Sequence, residues 1–124
     1  LEKNINYRNE IFKLYLNGFN SKFLEPIKIP INSRPSHYLL PFIFKGDRNR
    51  FAKDLQEVGV GVNTSYKTAI HLMPAYKYLG YKRGDFKKAE FFCDKNISFP
   101  ICDYLPKENA IKVIEIVNSL LKNH

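Results

Sequence analysis

The apolar run Tyr38-Leu-Leu-Pro-Phe-Ile-Phe44 constrains the fold more than any other stretch of the chain. It is far shorter than the roughly 18 residues an apolar helix needs to cross a bilayer, and it has the length of a strand buried on both faces. Pro41 lacks a backbone donor, which points to a sheet edge or a bulge. A helix signal follows at once. Gly46-Asp47 turns the chain, Asp47 is placed to accept hydrogen bonds from first-turn amides, and Phe51, Ala52, Leu55 and Val58 mark one face until Gly59 ends it. Residues 60–66 then resume an extended pattern.

The two ends of the chain read as helices. Leu1, Ile5, Arg8, Phe12, Tyr15 and Leu16 recur at helical spacing, with a stop at Asn17-Gly18 and no obvious cap at the start, as in the end of a longer helix. Residues 19–35 carry Pro26, Pro30 and Pro35 and read as an extended connector with at most an edge strand near Phe23. Further on, Gly84-Asp85 caps a short helix with Phe86, Ala89, Phe92 and Cys93 inward, and Asn96 releases it into a short strand over residues 97–101. Pro106 opens a last helix whose inner face is Ala110, Ile111, Ile114, Val117 and Leu121. At 124 residues this is one domain of the α+β class: a small, mostly antiparallel sheet of three or four strands with helices packed on one side.

Composition excludes several functions. The net charge of +8 raises nucleic acid as a partner, but the basic residues are spread along the chain, with only Lys82, Arg83, Lys87 and Lys88 grouped, and no recognition motif accompanies them. No membrane span or signal segment is present, so a cytoplasmic protein is expected, with Cys93 and Cys102 as reduced thiols. The one methionine is Met73, so the chain is expected to be a piece of something longer. No GxSxG, Cys-His pairing or phosphate-cradling glycine loop is readable, and carboxylates such as Glu57, Glu90 and Glu115 read as solvated helix-face residues.

One stretch stands apart. Residues 59–81 pass from a strand-like Gly-Val-Gly-Val through a polar exit at Asn63 to Ser65 into a segment crowded with Tyr66, His71, Tyr76, Tyr78 and Tyr81. Two readings stay open: aromatic and imidazole groups stacking on a planar ligand, or buried tyrosines filling a small core with their hydroxyls at its rim.

From Ser36 onward the order of motifs resembles the C-terminal part of the DegT/DnrJ/EryC1/StrS family of pyridoxal-phosphate-dependent sugar aminotransferases. The matching pieces are Ser36-His37-Tyr38, Arg48 through Leu55 to Gly59-Val60, Tyr66, Ile70-His71-Leu72, Pro74-Ala75-Tyr76, Leu79-Gly80-Tyr81, Gly84-Asp85-Phe86, Ala89-Glu90 and Ser98-Phe99-Pro100-Ile101. The resemblance implies that residues 1–17 end an interdomain helix and that residues 18–124 form the small domain. It also implies that the large domain, with the Schiff-base lysine and most cofactor contacts, lies upstream of Leu1. Pyridoxal 5'-phosphate is then expected in the full-length parent and not on this chain, which is not catalytic alone.

The parent is expected to act as a homodimer on a nucleotide-linked keto-sugar and an amino donor. Where the family has a His-Tyr pair followed by proline against the sugar nucleotide, this chain has Ser65-Tyr66-Lys67, so Tyr66 carries over and Ser65 substitutes a shorter donor. His71 matches a recurrent family position, with substrate contact and a structural role as alternatives. The competing function is a stand-alone, non-catalytic binding module using the same loop. A chain detached from its large domain is further expected to self-associate through an apolar face on Leu1, Ile5, Phe12 and residues 39–44.

Overall fold

The structure, a computed structural model, describes residues 1–123. Helix α1 (Glu2–Gly18) packs along helix α4 (Lys107–Leu121). Its buried stripe is Ile11 and Tyr15, flanked by half-buried Tyr7, Phe12 and Leu14. The expected stripe is therefore rotated: Leu1 is exposed and Leu16 is 43% exposed. Gly18 accounts for the rotation, because a Cβ there would lie 2.8 Å from Ile114, so the bare glycine lets the two helices approach. Phe19 then leaves the helix in an extended conformation. On α4 the inward residues are Ala110, Val117 and Leu121, while Ile111, expected inside, is 44% exposed.

The sheet has three antiparallel strands, β1 (Leu24–Pro26), β2 (Pro41–Phe44) and β3 (Asn96–Ser98), in the order β1-β2-β3. Leu24 pairs with Phe44, and Phe42 with Ile97. β2 is central, so Pro41 marks neither an edge nor a bulge. It is the first residue of the strand, where a missing donor is tolerated. Burial alternates along β2, with Phe42 and Phe44 inside and Pro41 and Ile43 half-covered, so only one face of the strand is fully buried. The sheet then needs helices on that face alone.

The fourth strand expected over residues 60–66 reduces to a single bridge, in which Asn63 and Ser98 exchange both backbone hydrogen bonds at 3.0 and 2.7 Å. A left-handed turn at Tyr66, φ 57°, ends the extended path.

Helix α2 (Arg48–Glu57) starts as its sequence suggests, with the Asp47 carboxylate accepting from the amides of Asn49 and Arg50 at 3.1 Å each. Phe51, Ala52 and Leu55 are buried, and Val58 lies past the helix end and is exposed. Helix α3 (Lys87–Lys95) runs straight into β3. The junction is locked by Arg48, buried, whose guanidinium donates to the carbonyls of Asn96 at 2.8 Å and Cys93 at 3.0 Å. The core between sheet and helices is aromatic: Phe44 stacks on Phe51 at 4.3 Å, and Phe19 sits between Phe42 and Phe99. Tyr15 enters the same core and donates its hydroxyl proton to the Pro100 carbonyl at 2.9 Å, which satisfies its one polar atom.

The uncovered apolar surface follows the sequence expectation only in part: Leu1 is 90% exposed, but the strand residues are not. Leu40, Phe42 and Phe44 are buried, and Phe12 stacks on His37 at 4.3 Å. Exposed large apolar side chains also run from Tyr66 to Phe91, while others, such as Ile27, Ile29 and Ile31, lie on the connector. No helix among the described residues is long and apolar enough to cross a membrane.

Candidate functional site

Between the Asn63 bridge and α3, the chain makes no long hydrogen-bonded ladder. It is built from two short 3₁₀ helices, Ile70–Leu72 and Pro74–Leu79, and a loop over residues 80–86. Pro74 opens the second 3₁₀ helix, and Gly80, at φ 76°, ends it in a left-handed conformation natural to glycine. Such short helices have little cohesion of their own. A side chain from elsewhere must hold them.

That side chain is Glu90 of α3, 8% exposed. Its carboxylate accepts from the Gly84 amide at 2.8 and 3.0 Å, from the Phe86 amide at 3.3 Å, and from His71 Nε2 at 3.0 Å. One group thereby ties the first 3₁₀ helix, the loop and the start of α3 together. Burial pushes the Glu90 carboxyl up, but the Gly84 amide, the His71 ring and the Phe86 amide outweigh it and hold the group below its ordinary range. An ionised carboxylate only accepts, so Nε2 of His71 is the donor in this contact. Asp85, expected to cap α3, instead accepts from the Lys82 amide at 2.9 Å and closes the preceding turn. The reading of Glu90 as a solvated helix-face residue is likewise corrected. Its signal was present: Glu90 follows the N-cap Phe86 by one helical turn, the reach of a carboxylate folding back on the free amides of a helix start.

Against this frame lies a cavity of about 420 Å³, walled by Tyr66, Ile70, His71, Tyr81, Phe86 and Phe92 among others. Phe86 sets its edge-on contacts, 4.8 Å from the His71 ring and 5.0 Å from Tyr81. Tyr66 stands at the wall with 66% of its surface exposed and a left-handed backbone, a conformation that costs a bulky residue about 1 to 2 kcal/mol. Of the three residues singled out in the sequence, Tyr66 and His71 meet at this cavity, whereas Ser65 is half-buried and does not line it. The wall carries no lysine, arginine or carboxylate facing the space, and burial raises its one thiol, Cys93, away from thiolate reactivity. The chemistry on offer is shape, aromatic surface and a few hydroxyls.

The profile of the DegT/DnrJ/EryC1/StrS aminotransferase family matches residues 1–118. The chain belongs to this family. An uncharacterized protein of Methanocaldococcus jannaschii is 34% identical over 93% of the chain, which corresponds to 31% of that protein's length. The dTDP-3-amino-3,4,6-trideoxy-alpha-D-glucose transaminase of Streptomyces venezuelae is 31% identical over 56% of the chain and 18% of its own length. Among solved structures, DesV of S. venezuelae, crystallised with a ketimine intermediate, superposes on 93% of the chain with a TM-score of 0.85 at 24% identity. PseC of Helicobacter pylori, an aminotransferase of pseudoaminic acid biosynthesis, covers 97% with a TM-score of 0.83 at 19% identity. The chain spans 31% of DesV and 33% of PseC, so this family member matches about a third of such chains. That share agrees with the resemblance to the family's C-terminal domain, and the three-stranded antiparallel sheet is the fold these structures share.

Proposed function

We propose that this chain is the small domain of a pyridoxal-phosphate-dependent aminotransferase acting on a nucleotide-linked keto-sugar, and that it supplies one wall of the substrate cleft. The observation that carries the reading is the family match over residues 1–118. Pyridoxal phosphate supplies the electron sink for moving an amino group when it is bound, and it needs an amine for its Schiff base and cationic or amide donors for its phosphate. The cavity wall from Tyr66 to Cys93 contains neither lysine nor arginine. These residues do not fit the cofactor, and no step of the reaction is assigned to them.

Their part is recognition. Tyr66, exposed on a strained backbone at the cavity that His71 also lines, offers a ring face and a hydroxyl. Ser65 supplies a second hydroxyl beside it in sequence. In this reading the cofactor, the lysine and the amino donor site belong to a large domain of the same polypeptide, and a homodimer in the cytoplasm completes the cleft.

Two measurements test this. The intact mass of the native gene product is expected to be about three times the 14.5 kDa of this chain. That product is expected to transfer nitrogen from glutamate to a nucleotide-linked keto-sugar, and Tyr66→Phe is expected to raise KM several-fold with kcat little changed. A native mass near 14.5 kDa, or a full-length protein silent with every keto-sugar nucleotide offered, leaves the stand-alone binding module as the function.

A further inference from the structure

A second cavity, of about 260 Å³, shares none of its wall with the Tyr66–Phe92 cavity. Phe12 of α1, Ile27 and Ile29 of the connector, and Leu39 and Leu40 ahead of β2 supply its carbon surface, and His37 stands in the same wall. His37 stacks on Phe12 at 4.3 Å and is 9% exposed, yet neither ring nitrogen has a hydrogen-bond partner among the described residues. No side-chain nitrogen sealed among those residues is left unpaired, so the two ring nitrogens keep open space beside them. The space that His37 lines is the cavity. Its backbone is left-handed, φ 48°, a strained state of the kind that collects at ligand-holding positions.

Burial, and after it the charge of Arg8, holds the His37 ring below its ordinary pKa. Near neutral pH the ring is therefore uncharged and offers one N–H donor and one acceptor. Arg8 itself is taken, donating to the Asp103 carboxylate and to the Ser36 carbonyl at 2.7 Å each.

We infer that this cavity binds a small, uncharged ring compound bearing one hydroxyl group, with the hydroxyl on the His37 ring and the hydrocarbon against Phe12, Ile27, Ile29 and Leu39. A space of about 150 Å³ lined by leucine, isoleucine and phenylalanine takes benzene, so this larger one has room for a substituted ring. Water is a poor occupant, because a held water needs several polar partners and His37 is the one buried polar side chain on the wall. A charged ligand is disfavoured, since Arg8 is already paired and carbon walls leave a charge unsolvated. An unpaired, nine-tenths buried ring marks the site, whatever covers the exposed faces of the chain.

The test uses the native gene product, so that any large domain is in place. Calorimetric titration with phenol is expected to show saturable binding, with a Kd of about 0.1 to 1 mM. Crystals soaked with 4-bromophenol are expected to show the anomalous peak of bromine in this cavity, with the phenol oxygen on a His37 ring nitrogen. His37→Phe keeps a ring against Phe12 and removes both nitrogens, and the ratio of phenol to toluene affinity is expected to fall about tenfold. Where that variant does not fold, the crystal of the unmutated protein decides.

Bromine found only in the Tyr66–Phe92 cavity, or no saturable binding of phenol at about 10 mM, overturns the assignment. So does a protein side chain of the native product already seated on the His37 ring, or an unchanged phenol-to-toluene ratio in folded His37→Phe. None of these readouts needs transaminase activity, so failure here leaves the aminotransferase reading standing.

Discussion

Glu90 is the side chain on which the cavity wall depends, because three otherwise independent pieces of backbone and ring meet on its two oxygens. Glu90→Gln leaves an amide NH₂ where one of those oxygens accepted a proton from Gly84, and this is expected to lower Tm by several degrees. The pH dependence follows from the sign of the shift. The folded carboxyl is held below its ordinary value of 4.5, so the stabilisation is complete above that pH and is lost as pH falls through the folded pKa. Urea melts are expected to separate the two proteins clearly near neutral pH and to bring them together as pH falls through the folded pKa of the carboxyl.

Tyr66 gives the opposite kind of prediction. Tyr66→Gly relieves the left-handed backbone, offset by the extra freedom of glycine in the unfolded chain, so stability is expected to hold or rise by up to about 1 kcal/mol. Loss of substrate affinity by the full-length product without loss of stability would separate a recognition role from a structural one. Nothing about Tyr66 in the sequence reveals its backbone angle. His71 was legible as a candidate, but its partner was not, because the two lie on elements that only packing brings together.

The elements divide by how much of their geometry is local. Helix α2 is legible apart from Val58, which falls past its end, since Asp47, the apolar spacing of Phe51 and Leu55, and Gly59 are all within its own sequence. Helices α1 and α4 are legible as helices but not in rotation, because Gly18 against Ile114 decides which faces meet. The α3–β3 junction is held by a distant side chain, Arg48, which caps carbonyls its own helix never sees. Arg48→Met keeps the length but removes the donor to the Asn96 carbonyl and leaves the Cys93 carbonyl only its 3.5 Å contact with Asn96 Nδ2, at an expected cost of about 1 to 3 kcal/mol in chemical denaturation. The strands fared worst. The apolar run at 38–44 and the residues at 97–101 each shortened to a few ladder residues, and the pattern at 60–66 kept one bridge. Period-two alternation marks extended backbone, while a ladder also needs a neighbour with free donors and acceptors at the right distance.

For the molecule as a whole, the aromatic core between the sheet and the helices is where truncation is most costly. Phe42→Ala removes a fully buried ring that touches Phe19 and Phe99, and about 3 to 5 kcal/mol of stability is expected to go with it, measurable as a shift in the urea midpoint. What the sequence by itself determined was the α+β class, the order of elements and the family, because these rest on local spacing and on motifs read along the chain. Only the tertiary structure decided which apolar surface remains open and which partner of His71 organises the cavity. These depend on residues far apart in sequence, from His71 to Glu90 and from Arg48 to Asn96, whose meeting is a property of packing.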